Sequence, residues 1–188
     1  MSPQTEVELI AAAKLDPDAF AQLYDLYIDR LYRFVRRRAL DDAVAEDITA
    51  LTFEKALRAL PTYQPKGAGF GAWLYRIARN ELISYQRKQR WLTALLPTQV
   101  STLNLDWIVE HNEAVATLRQ ALAKLAPADQ ELLALRFFEE LTNPEIAEVL
   151  GCPVANVYVR LHRALKRLEQ QFTKLHGAVA GEVIHVLE

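Results

Sequence analysis

Apolar residues recur every three or four positions along most of the 188-residue chain, and no stretch keeps the two-residue alternation of a half-buried strand. The pattern predicts an all-α protein. Thr5 and Glu8 have the spacing of a capping box and open a first helix running to about Leu15. Asp16-Pro17 then supplies an N-cap and a first-turn proline. The helix they start places Phe20, Leu23, Tyr24, Tyr27, Leu31, Phe34 and Val35 along one face and ends in Arg36-Arg37-Arg38. A third helix covers roughly 43–60, with Ile48, Leu51, Phe53, Ala56 and Leu57 inward. Residues 61–71 hold two prolines and three glycines and read as a loop. A fourth helix runs from near Phe70 to about Arg90, with positions 70, 73, 74, 77 and 81 on one face.

Residues 95–104, with Pro97 and several Ser and Thr, read as a flexible linker between two small helical domains. The division is residues 1–94, a linker at 95–112, residues 113–175 and a tail at 176–188. The second domain's pattern gives helices at 106–124, 127–138, 142–150 and 153–174. Thr142 and Glu145 form another capping box, Gly151 stands at a helix C-cap, and Pro153 opens the last helix. Val157, Leu161, Ala164, Leu165 and Leu168 make that helix's buried stripe. A short helix, a tight glycine turn and a longer basic helix is the helix-turn-helix pattern.

Net charge is only −2, but its distribution is uneven. Residues 41–54 carry Asp41, Asp42, Glu46, Asp47 and Glu54 with no base. Residues 61–90 carry Lys66, Arg76, Arg79, Arg87, Lys88 and Arg90 against Glu81 alone, and 153–168 carry Arg160, Arg163, Lys166 and Arg167 with no acid. Two basic patches with acidic neighbours suit a nucleic-acid partner. Cys152 is the one cysteine, which rules out an internal disulfide and suits a reducing cytoplasm. No signal peptide is read at the N-terminus, and the longest uncharged run, 91–105, is too short and too polar to span a bilayer.

The basic, aromatic-bearing helix has what an unstacked strand needs. Lys66, Arg76, Arg79, Arg87 and Lys88 are cations for phosphates, and Phe70, Trp73, Tyr75 and Tyr85 are π-faces for bases. The competing reading is that Trp73, Leu74 and Ile77 are simply core. In the last helix Asn156 suits adenine and Arg160 suits guanine or a phosphate, with Tyr158, His162, Arg163 and Lys166 as further candidates for duplex contact. Here the alternative is a helical hairpin with a solvated basic face.

Phe70-x-x-Trp73-Leu-Tyr-Arg76-Ile-Ala-Arg79-Asn80, followed by Glu145-Ile-Ala-x-x-Leu-Gly151, resembles the extracytoplasmic-function sigma factors of bacterial RNA polymerase. The first block is similar to sigma region two and the second to region four. Departures fall at Ala50 and Leu51, Ser84, and at Pro153, Asn156 and Val159. The resemblance implies a factor that binds core polymerase, reads a −35 element with the helix-turn-helix, and reads and melts a −10 element with the N-terminal domain. It further implies that the loop at 62–71 holds a flipped base and that Asn80 bonds to the strand. By the same resemblance, the helix at 43–60 docks on the polymerase through Asp47, Thr49, Phe53 and Glu54, with the basic residues 36–38. An anti-sigma partner is a further implied possibility, and the acidic linker would thread the RNA exit path. The alternative is a stand-alone helix-turn-helix regulator, which leaves the aromatic basic helix unexplained. No catalytic constellation, metal-ligand set or cofactor motif is read in the chain.

Overall fold

The computed structural model describes residues 3–64, 68–92 and 113–176. Among these, every regular element is helical: α1 (Pro3–Ala13), α2 (Pro17–Arg36), α3 (Asp42–Ala59), a short 3₁₀ turn at Leu60–Thr62, α4 (Gly69–Leu92), α5 (Glu113–Ala123), α6 (Pro127–Phe137), α7 (Asn143–Leu150) and α8 (Val154–His176). The expected linker and, from residue 177 on, the expected tail lie outside the described residues, while His176 still belongs to α8.

Local signals set most helix ends. Asp16 accepts from the Asp18 N–H at 2.9 Å ahead of Pro17, and Asp41 accepts from the Val44 N–H at 2.8 Å. The box at Thr142 forms, its N–H donating to Glu145 Oε2 at 2.7 Å. Gly151 takes φ +63, the left-handed conformation a glycine adopts without strain, and the Cys152 N–H closes the turn on Ala147 O at 3.0 Å. The box expected at Thr5 is a correction. Helix α1 begins at Pro3, so Thr5 lies inside the first turn and not at its cap.

Helices α2, α3 and α4 pack against one another, and α1 lies along α2. On the other side α5, α6 and α7 each pack against α8. The two groups meet along α4 and α7, and their buried side chains join in one continuous cluster. Phe34, Phe70 and Leu23 fill the N-terminal part, and Leu132, Leu135, Ile146 and Val157 the C-terminal part.

The inward face of α3 differs from the expectation. Ile48, Phe53 and Ala56 are buried, but Leu51 and Leu57 are exposed while Thr49 and Thr52 are buried. Each threonine hydroxyl donates at 2.7 Å to the carbonyl four residues back, Ala45 O and Ile48 O. A hydroxyl satisfied on its own helix enters the core without leaving an unmet polar group.

Candidate nucleic-acid interface

Helix α4 carries the N-terminal candidates, and Phe70 fixes its start. Its ring is fully buried, with Tyr27, Tyr63 and Trp73 at centroid distances of 5.6, 5.6 and 5.3 Å. Tyr63 in turn lies against Trp73 with the rings tilted 35° and their centroids 4.4 Å apart. Phe70 is therefore the floor of an aromatic cluster and offers no face to a base. Tyr75 is likewise buried, its edge against Phe34 at 4.9 Å. The helical spacing that put Phe70 beside Leu74 points both side chains inward, which decides between the two readings for this residue.

Trp73 is half-buried and lines a cleft of about 340 Å³, at the small end of ligand-pocket sizes, together with Ala59, Thr62, Tyr63, Gln64, Gly69, Arg76 and Glu148. Burial pushes the Tyr63 hydroxyl up to about 12, so it stays neutral at the cleft wall. Lys14 Nζ donates to Tyr63 O at 2.7 Å and ties α1 to this wall. Along α4, Asn80, Arg87 and Lys88 are exposed, while Tyr85 is half-buried and its hydroxyl accepts from Gln89 Nε2 at 3.0 Å. Lys66 lies outside the described residues.

Arg76 and Arg79 are half-buried, and each has a carboxylate partner from the C-terminal helices. Arg76 Nη1 lies 2.6 Å from Glu148 Oε1. Arg79 donates twice to Glu131, from Nε at 2.8 Å and Nη2 at 3.2 Å. Arg37, at the end of α2, pairs with Glu139, whose other oxygen accepts from the Tyr75 hydroxyl at 3.3 Å. Burial raises the Glu139 carboxyl above its usual range, and the positive charges of Arg37 and Arg38 pull it back. Arg38 is buried beside them, stacked 3.9 Å over the Phe34 ring and donating to Phe34 O at 2.8 Å. Desolvation lowers its guanidinium to about 10, still fully charged near neutrality. These glutamates are absent from the sequence reading. The available signal was the excess of acids over 129–148, where Asp129, Glu131, Glu139, Glu140, Glu145 and Glu148 face a lone Arg136.

On α8 the candidates share the solvent side. Asn156, Tyr158, His162, Arg163 and Lys166 are exposed and Arg160 is half-exposed, while Val157, Ala164 and Leu168 are buried and Leu161 and Leu165 partly so. Exposed Val154 and Val159 extend this surface. Arg167 reaches back to Asp129 at 2.7 Å and anchors α8 to α6.

On α3, Asp47 and Glu54 are exposed, and Glu54 pairs with Arg58 at 2.5 Å. Thr49 and Phe53 are buried, Phe53 against Tyr24 at 4.5 Å, so neither presents a side chain to a partner. Leu51 takes their place on the surface, one helical turn from Asp47. Of the basic residues 36–38, Arg36 pairs with Asp42, Arg37 with Glu139, and Arg38 is buried. Among the described residues no helix is long and apolar enough to cross a membrane.

Comparison with known proteins agrees with this layout. Residues 23–92 match the family described as Sigma-70 region 2, and residues 116–168 match Sigma-70, region 4. The chain is 34% identical over 169 residues to the ECF RNA polymerase sigma factor BldN of Streptomyces coelicolor, covering 86% of this chain and 64% of that protein. It is 31% identical over 175 residues to the ECF RNA polymerase sigma factor SigW of Bacillus subtilis, covering 86% and 93%. Among solved structures, CnrH in complex with the cytosolic domain of CnrY aligns with a TM-score of 0.64 at 25% identity, over 90% of this chain and 97% of that one. The sigma factor RpoE in complex with the anti-sigma factor NepR, from Bartonella quintana, shares the fold with a TM-score of 0.65 at 22% identity, over 82% and 96%. The chain belongs to the sigma-70 family of RNA polymerase sigma factors, in its extracytoplasmic-function class.

Proposed function

We propose that α4 and its aromatic cleft take the opened −10 strand, that the exposed face of α8 reads the −35 duplex, and that α3 docks on core polymerase. The observation that carries this reading is the cleft. Half-buried Trp73 supplies π-surface backed by the buried Tyr63 ring, Arg76 stands at its edge, and Asn80, Arg87 and Lys88 continue along the exposed side of the same helix. On α8, Asn156 and Arg160 are the base-edge candidates, and Tyr158, His162, Arg163 and Lys166 flank them toward the phosphates. On α3, Asp47, Leu51 and Glu54 follow one helical face and make the docking surface. The units are residues 1–94 for polymerase and the −10 element and 113–175 for the −35 element, joined through 95–112. RNA synthesis belongs to the polymerase, so the factor is not itself an enzyme, and it works in the cytoplasm. An anti-sigma protein, such as the NepR bound to the sigma factor RpoE of Bartonella quintana, is a fitting further partner.

The test uses holoenzyme assembled with this factor and a template whose −10 segment is already single-stranded. Trp73→Ala weakens binding by about 1–3 kcal/mol, the worth of one base–aromatic stack. Unchanged affinity on that template, with the factor still bound to polymerase, removes the cleft from the strand path.

A further inference from the structure

Helix α1 and Lys14 just past its end lie ahead of the segment matched to Sigma-70 region 2, yet both send side chains to the walls of the aromatic cleft. Glu6, Ile10 and Lys14 recur at four-residue spacing and so share one helical face. Ile10 is buried and seats that face on the core. Glu6 and Lys14 then stand at its two ends, about 12 Å apart at helical rise. Lys14 Nζ donates to Tyr63 O at 2.7 Å, a charge-assisted bond to the backbone of the cleft wall. The Tyr63 ring lies against Trp73, so this bond also fixes what backs the indole. Glu6 works at the other end. One of its oxygens accepts from the Tyr27 hydroxyl, and the other is 3.7 Å from where a β-carbon on Gly69 would lie. Burial and the bond to Glu6 hold the Tyr27 hydroxyl well above its usual range, so it stays a donor. The Tyr27 ring meets Phe70 at 5.6 Å and fills the space over Gly71, where a β-carbon would come within 2.9 Å of it. Gly69 takes φ +71, so α4 starts in a conformation that suits glycine. Tyr63 and Gly69 both line the cleft, which α1 therefore braces at two points.

We propose that Glu6 and Lys14 are positioning residues for reading the opened strand. Lys14 sets the Tyr63 wall, and Glu6 sets the start of α4 through Tyr27. Neither side chain meets the DNA. They act by holding Tyr63, Trp73 and Gly69 in one fixed geometry, so that a wrong base meets a cleft that cannot adjust to it. Without the brace the cleft still offers an aromatic face, which any base can stack on, but its shape no longer discriminates. This deepens the assignment of the α4 cleft to the −10 strand and rests on it.

The experiment uses holoenzyme assembled with the full-length factor and templates whose −10 segment is already single-stranded, with each base in turn at each −10 position. Lys14→Met keeps the apolar stem and removes the donor. At the most selective position, the affinity ratio between preferred and other bases falls about tenfold, the worth of one hydrogen bond to a charged group. Lys14→Arg keeps a cationic donor and restores the ratio. Glu6→Ala lowers the ratio in the same way, and Glu6→Gln, which keeps an acceptor for Tyr27, restores it. Affinity for core polymerase and for a −35 duplex is unchanged throughout. A purely structural role would instead weaken every base alike, in step with a lower melting temperature, and that result overturns the proposal. An unchanged ratio in both Lys14→Met and Glu6→Ala overturns it as well. Trp73→Ala, run alongside, separates the two levels. If it weakens strand binding while Lys14→Met keeps the ratio, the cleft stands and the brace falls. If Trp73→Ala leaves strand binding unchanged, the strand assignment falls and the brace falls with it.

Discussion

Phe70→Ala is expected to lower the unfolding free energy by about 3–5 kcal/mol, read by urea denaturation followed at the helical circular dichroism signal. Such a loss is a large share of the 5–15 kcal/mol that typically holds a domain together, about a fifth or more. The magnitude follows from where the ring sits. It is fully buried and touches Tyr27, Tyr63 and Trp73, which come from α2, the turn before α4, and α4 itself. These neighbours cannot close the gap without moving anchored groups. The Tyr27 hydroxyl is bonded to Glu6, and Tyr63 is tied to Lys14 through its carbonyl. Gly71 adds a further constraint, because a β-carbon there would stand 2.9 Å from the Tyr27 ring. The cavity left by alanine therefore persists, and strand binding fails along with the fold. A Phe70→Ala protein of unchanged stability that has lost strand binding alone would return Phe70 to the surface role its sequence suggests.

Arg37→Ala is expected to separate the two halves. Its ion pair with Glu139 is the least exposed of those joining the halves, at 13% and 4% side-chain exposure. Removing one partner of a buried pair strands the other charge, at a cost of about 3–5 kcal/mol. Two features hold this case near the lower bound. Arg38 still lies beside Glu139, and the Tyr75 hydroxyl still donates to it. The protein has a second way out, since Glu139 regains water if the C-terminal helices simply undock. The cost is then felt in docking and not in the core of either half. Hydrogen exchange should show lost protection along α7 and the facing side of α4, with the interior of α2 and α3 unchanged. Protection that is unchanged at α7, or lost throughout α2 and α3, would contradict this division of labour.

The parts of the fold legible in the sequence are those fixed by short-range chemistry. Asp16-Pro17, the Thr142–Glu145 box and Gly151 each satisfy backbone groups within a few residues, so their sequence neighbours suffice to read them. The buried stripe of α8 was legible because its strict spacing allows one inward face. Helix α3 was harder. Leu51 and Leu57 look like core and Thr49 and Thr52 like surface until the threonine hydroxyls find carbonyls on their own helix. At the candidate site, the cations and aromatics of α4 were visible one by one. Which of them face solvent was not, because that depends on Glu131, Glu139 and Glu148, more than fifty residues away in sequence for each arginine they meet. Pairing across such distances leaves only a diffuse signal, the acidic excess over 129–148 opposite a basic helix.

The central claim is that this chain directs core polymerase to promoters through both of its helical halves. The most direct measurement is transcription by purified bacterial core polymerase on a library of genomic fragments, with and without the factor. The expected result is a set of new discrete transcripts whose templates share two upstream elements, lost when Trp73 or Asn156 is replaced by alanine. The absence of new transcripts, together with sequence-specific duplex binding by the protein alone, would contradict it.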